Sequence, residues 1–166
     1  MSISFYSISI PVFERMLKNL LGIIEKAEVN ATERKIKPEV LAGSRLAPDM
    51  YPLSFQVQSA TDRSKFFVAR VTGRDAPSWA DEEQTLVELK ARINKALDYL
   101  GAVKPEDLDG SEDKLVPLKV RGEDVQVKAQ DYLLHNVMPN FYFHVTTAYD
   151  ILRHNGVPVG KRDFVG

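Results

Sequence analysis

All three histidines of the chain fall in one apolar segment near its C-terminus, Tyr132-Leu-Leu-His-Asn-Val-Met-Pro-Asn-Phe-Tyr-Phe-His-Val-Thr-Thr-Ala-Tyr-Asp-Ile-Leu-Arg-His-Asn-Gly156. Read as a helix that ends at Gly156, the segment stacks Asn140 and His144 one turn apart on a single face. That is the spacing by which a helix presents two ligands to one point. Such a pair, among aromatic side chains and just beyond Pro139, can hold a polar ligand, contribute to a metal site or serve acid–base chemistry. At about 100° per residue, His135 lies roughly 180° from His144, so the three histidines do not converge from an ideal helix. His154 falls in the last turn, where a protonated imidazole favours the helix C-terminus. His135 reads as a half-buried histidine hydrogen-bonded to a neighbour.

Pro139 has no amide hydrogen and, in a regular helix, clashes with the His135 carbonyl at a cost of about 3 kcal/mol or more. The expectation is a kink that wraps the helix around its neighbours. The alternative is a freed backbone polar group facing a hydrated pocket near Asn140. Gln56 and Gln58 interrupt the apolar stripe of an earlier helix and lie about 160° apart, so only one faces inwards. Gln56, beside Leu53, Val57 and Ala60, is the choice for the bundle side, with Gln58 the alternative and an exposed glutamine the plain reading for either.

These residues need a scaffold, and the composition sets its limits. The 166 residues are 44% hydrophobic, carry a formal net charge of −1 and include no cysteine. One domain over residues 1–166 is expected, burying roughly 68–70% of the unfolded surface. Lacking cysteine, the chain has no thiolate nucleophile, disulfide or thiolate metal site, and any transition metal would rest on histidine and oxygen ligands. Near-neutral charge without a Lys/Arg block argues against nucleic-acid binding. The N-terminus does not read as a signal peptide and no segment is apolar enough to span a bilayer, so a cytoplasmic location is expected.

Helical spacing predicts four long helices. The first covers about Ile10–Ala31, with Pro11 in its opening turn and a stripe of Phe13, Leu17, Leu20, Leu21, Ile24 and Ala27. A short turn from Pro38 to Gly43 follows. The second helix covers about Tyr51–Thr72, with Asp49 as candidate N-cap and Gly73 just past its end. The third runs from a capping-box-like Asp81/Gln84 start to Gly101. Leu115–Val120 and Val125–Lys128 read as a hairpin around Arg121-Gly-Glu-Asp124, Pro117 implying an edge strand, and the fourth helix starts near Ala129. The fold class is therefore all-α: an antiparallel four-helix bundle with a long second connection and a small β-hairpin before the last helix.

A set of strings along the whole chain then carries a resemblance: Phe5-Tyr-Ser, Pro11-Val-Phe, Arg45-Leu-Ala-Pro-Asp49-Met, Gln56, Pro139-Asn-Phe-Tyr-Phe-His144-Val-Thr-Thr-Ala-Tyr149, Leu152-Arg-His-Asn-Gly156 and Gly160-Lys-Arg-Asp-Phe164. The sequence resembles a bacterial family of unknown function within the DinB/YfiT-like group of four-helix bundles. That group is regarded as metalloenzymes, with one histidine on the second helix and a His-x-x-x-His pair on the last holding a divalent metal. Some relatives are thiol-dependent transferases or metal-dependent hydrolases, and many are dimers, so the resemblance implies a homodimer. Here Asn140-x-x-x-His144 stands in place of the pair, and Gln56 or Gln58 in place of the other histidine.

One imidazole and two neutral amides are a poor donor set for zinc or nickel. No cofactor or metal is expected; the alternative is a divalent Zn or Ni on His144 with Gln56 and Asn140, helped by a carboxylate such as Asp49, Asp62 or Asp150. Three functional readings remain. The preferred one is a bundle that has lost the metal triad and binds a small molecule through Gln56, Asn140 and His144, with Asp49 as a further candidate. The second is a transferase or hydrolase with His144 as ligand or general base, the only catalytic candidate. In the third, a structural or interaction protein, the same residues only fix bundle register.

Overall fold

Each long helix forms where apolar residues recur at helical spacing. The computed structural model describes residues 3–120 and 122–166. Helix α1 (Ile10–Glu33) carries Pro11 in its first turn, where the amide would be unpaired anyway, and buries Phe13, Leu17, Leu20, Ile24 and Ala27. Leu21 is only partly buried, while Ile23 takes a core position. The short α2 (Pro38–Ala42) closes at Gly43 as expected. Helix α3 (Leu53–Thr72) starts after Pro52, so Asp49 does not cap it; Asp49 is exposed in the preceding turn. Past its end, Gly73 adopts a left-handed φ of 75° and donates its amide to the Ala69 carbonyl at 2.9 Å.

Helix α4 (Leu86–Gly101) is capped by Thr85 and Glu88, one turn beyond the expected Asp81/Gln84 pair. Thr85 N–H donates to Glu88 Oε2 at 2.9 Å and Glu88 N–H to Thr85 Oγ1 at 3.3 Å. The upstream pair fails because Asp81 has a tertiary partner, the Arg92 guanidinium at 3.1 Å. After α5 (Pro105–Leu108), strands β1 (Leu115–Val120) and β2 (Glu123–Lys128) pair antiparallel from Leu115↔Lys128 to Val120↔Glu123. Glu123 and Asp124, expected in the turn, are in the strand, and Arg121 lies outside the described residues. Pro117 sits opposite Gln126; with only two strands each is an edge, so its missing donor breaks no interior ladder.

The last helix comes in three pieces: α6 (Ala129–Tyr132), a π-helical turn over Leu133–Val137, and α7 (Met138–His154). Gly156 turns the chain at φ 84°, and α8 (Lys161–Val165) returns along α1, where Asn19 Nδ2 donates to the Phe164 carbonyl at 2.9 Å.

Side-chain pairs give the directions of the bundle helices. Glu28 of α1 meets Lys90 of α4 while Glu14 lies beside Gly101, so these helices are antiparallel. Helix α3 runs antiparallel to the last helix as well, since Gln56 meets His144 of α7 at one end and Arg70 meets Tyr132 of α6 at the other. Helices α1 and α7 run the same way, Phe13 lying against Phe141 and Arg34 Nη1 donating to the Asn155 carbonyl at 2.8 Å. It follows that α3 and α4 lie side by side in one direction, and the second connection must travel back along the bundle. Extended chain over residues 73–85 reaches roughly 40 Å, ample for an α4 of roughly 24 Å. Between α1, α3 and α7, Phe13 packs edge-on against Phe67 and Phe141, with centroids 5.7 and 4.9 Å away. Among the described residues no helix is long and apolar enough to cross a membrane.

Candidate functional site

The backbone around Pro139 is solved by widening the helix, which differs from the simple kink expected. Met138 N–H donates to the Leu133 carbonyl, five residues back, and Pro139 then occupies the first turn of α7, where its missing amide has no helical partner to lose. Asn140 completes the repair: its Nδ2 donates to the Asn136 carbonyl at 2.7 Å. The amide of Asn140 is thus turned back along its own helix. It shares a face with His144, but it is tied to the backbone behind it.

His144 is 9% exposed and its Nδ1 lies 2.8 Å from Gln56 Oε1. Gln56, 2% exposed, donates through Nε2 to the Tyr51 carbonyl at 3.0 Å. That second bond orients the amide, because only its nitrogen can donate to a carbonyl; Oε1 is left for the imidazole. An acceptor facing Nδ1 requires the proton to sit on Nδ1. The Nε2 atom then carries a lone pair and has no hydrogen-bond partner among the described residues. Two aromatic rings flank the imidazole: Phe55 and Phe143 lie edge-on to it with centroids 6.1 and 5.4 Å away, and Tyr51 stacks on Phe55 at 4.0 Å.

This environment holds the imidazole neutral. Burial, with the nearby Arg63 cation adding to it, lowers the His144 pKa from 6.5 to about 4. A carboxylate in place of Gln56 would stabilise imidazolium; a neutral amide orients the ring without doing so. His144 is accordingly a weak base near neutral pH and a good hydrogen-bond acceptor.

The donor set does not fit the metal centre that the resemblance implies. Gln56 Oε1 is engaged by the imidazole N–H, the Asn140 amide is turned to the backbone, and only one ring nitrogen remains. None of the carboxylates considered completes it: Asp49 is exposed, and Asp62 is bound to Lys65 and Arg92 at 2.7 and 2.9 Å. Among the described residues no group of three His, Asp or Glu side chains is placed to hold a metal ion, Asp150 included.

Gln58 is buried too, but elsewhere, donating to Glu83 Oε2 at 2.9 Å. It belongs to a cluster the sequence reading missed. Arg92 of α4, 2% exposed, uses all five guanidinium donors: Nε to Thr61 Oγ1, Nη1 to the Ala80 carbonyl and Glu83, Nη2 to Asp62 and Asp81, all within 3.1 Å. The Trp79 ring centroid lies 5.1 Å from the Arg92 guanidinium carbon and 4.4 Å from Lys65 Nζ, and both cations also bind Asp62 Oδ1. The available signal was an arginine on the apolar side of α4, between Leu89 and Ile93. His135 is exposed rather than half-buried, and His154 lies exposed in the last turn of α7 as expected.

A family model described as "Domain of unknown function (DUF1993)" matches residues 5–165. No curated protein matches the chain. A crystal structure of a DinB family member protein from Shewanella denitrificans is similar at 42% identity and a TM-score of 0.90, over 97% of this chain and 91% of that one. The chain therefore belongs to the DUF1993 family, a DinB-like family of unknown function.

Proposed function

We propose that the protein binds a small molecule at the end of the bundle where Gln56 and His144 meet, through an imidazole held as a neutral acceptor. One observation carries this reading: Tyr51, Gln56 and His144 form a directed hydrogen-bond chain that leaves the Nε2 lone pair for a ligand. A neutral donor, N–H or O–H, on a flat apolar body suits an acceptor flanked by Phe55 and Phe143. Asn140, one turn earlier, bounds the site, and Asp49 belongs to the loop that leads into α3.

Phenol is a direct probe, with one O–H donor on one ring. The His144 Nε2 resonance should shift and saturate on titration, and Gln56→Leu, which removes the group that sets the tautomer, should weaken the interaction about tenfold. A titration that never perturbs His144 sinks the proposal. Protein purified without chelator or affinity-tag metal should contain no stoichiometric zinc, nickel or iron. The competing reading, a metal-dependent transferase or hydrolase using His144, requires such a metal and its loss in His144→Ala. We also propose that the protein is cytoplasmic and homodimeric, with this aromatic end as an apolar surface; Tyr51 and Phe143 are 61% and 56% exposed there.

A further inference from the structure

We infer that the small molecule bound at Gln56 and His144 is a phenolic acid whose carboxylate Arg63 holds, a ligand class that rests on the small-molecule reading above. Arg63 follows Gln56 on α3 by seven residues, which is two turns, about 20° round the helix and roughly 10 Å along it. Both side chains therefore leave α3 on one stripe, with Ser59 in the turn between them. The last helix runs the other way, so His144, Asn140 and Asn136 follow one another along the same stretch of the seam.

Arg63 is uncommitted. Of the arginines that are buried or half-buried among the described residues, Arg92 uses all five guanidinium donors and Arg70 bonds the Tyr132 hydroxyl. Half-buried Arg63 forms no hydrogen bond or ion pair among those residues. The neighbouring helices offer it no counter-charge: Asp62, the one acidic residue of α3, is bound to Lys65 and Arg92, and residues 133–149 contain no Asp or Glu. A guanidinium that gives up part of its water without a counter-ion is costly, and a carboxylate bound in its fork offsets that cost. Its charge also reaches the imidazole, since burial and then the Arg63 cation lower the His144 pKa. Both groups are open to a ligand. Among the described residues, Asn136 Oδ1 is the only unpartnered side-chain polar atom sealed from solvent, so neither His144 Nε2 nor the Arg63 guanidinium is sealed. An acceptor and a cation on one seam, beside Phe55 and Phe143, select a flat apolar body with a neutral O–H donor at one end and an anion at the other. One guanidinium balances one charge, and Lys65 and Arg92 are already paired, so the anion is a carboxylate rather than a phosphate dianion.

Phloretate, a phenol carrying a propionate chain, is the probe; its flexible chain lets the carboxylate find the guanidinium while the hydroxyl meets Nε2. Its neutral amide and hydrocinnamate, which lacks the hydroxyl, are the counterparts, followed by imidazole nitrogen and backbone amide NMR on the intact chain. Phloretate should shift His144 Nε2 and bind at least about tenfold tighter than either counterpart. Arg63→Gln should bring the acid and its amide together, whereas Arg63→Lys, which keeps the charge, should retain a preference for the acid. Equal binding of acid and amide by the wild type overturns the assignment of Arg63 and leaves the neutral-donor site standing. A preference for the acid that survives Arg63→Gln does the same. Hydrocinnamate binding as tightly as phloretate also overturns it, because the charge would then be held apart from His144. If phenol, phloretate and the amide all leave His144 unperturbed, both readings fall.

Discussion

His144 shows how one neighbour sets what an imidazole can do. Bound to a neutral amide and buried, it resists protonation, so its titration is written into the stability of the fold. The folded-state pKa of about 4 lies below the ordinary 6.5, which means the unfolded chain takes up the proton first as pH falls. The contribution of neutral His144 is present above pH 6.5 and lost as pH drops towards 4, an effect on the order of 1–3 kcal/mol. Urea midpoints between pH 7 and pH 4.5 should therefore fall further for the wild type than for His144→Gln. Equal slopes would mean that this imidazole is not held neutral. Helical spacing favoured Gln56 over Gln58 for the bundle side and allowed only one of them to face inwards; Gln56 is buried, but so is Gln58, against the Glu83 carboxylate. It could not say that Asn140, on the same face as His144, would spend its amide on the Asn136 carbonyl. That choice depends on the π-helical turn, a backbone adjustment to Pro139 that an ideal 3.6-residue period does not contain.

Among the elements, the second connection is the one whose conformation local signals leave open. Residues 74–84 have no regular structure, and a segment of that length lies still only if something holds it. Arg92 does so, by bonding Ala80, Asp81 and Glu83 of the connection together with Thr61 and Asp62 of α3. Arg92→Met should cost about 3 kcal/mol or more, because it leaves carboxylates facing a poorly hydrated seam. Limited proteolysis should at the same time begin to cut between residues 74 and 85. Lysine should not rescue, having three donors on a point charge where the site uses five in a planar fork. Retained stability together with an uncut connection would show that the cluster is incidental. The capping box was misread for the same reason: Asp81 has the right chemistry for an N-cap, but its carboxylate is claimed by Arg92, and Thr85 takes the role.

For the molecule as a whole, light scattering coupled to size-exclusion chromatography should give twice the 18.7 kDa chain mass. A monomer at working concentration would count against the dimer and against the aromatic end as its surface. Within one chain, the existence of the four long helices, the hairpin and the turn at Gly73 was legible, because apolar period, proline and glycine act through neighbours only a few residues away. The directions of those helices, the return path of the second connection, the partner of each buried polar group and the orphaned oxygen of Asn136 were not. They depend on which side chains meet across the bundle, tens of residues apart along the chain. A periodic pattern specifies that a residue faces inwards, and only the packed neighbours decide what it finds there.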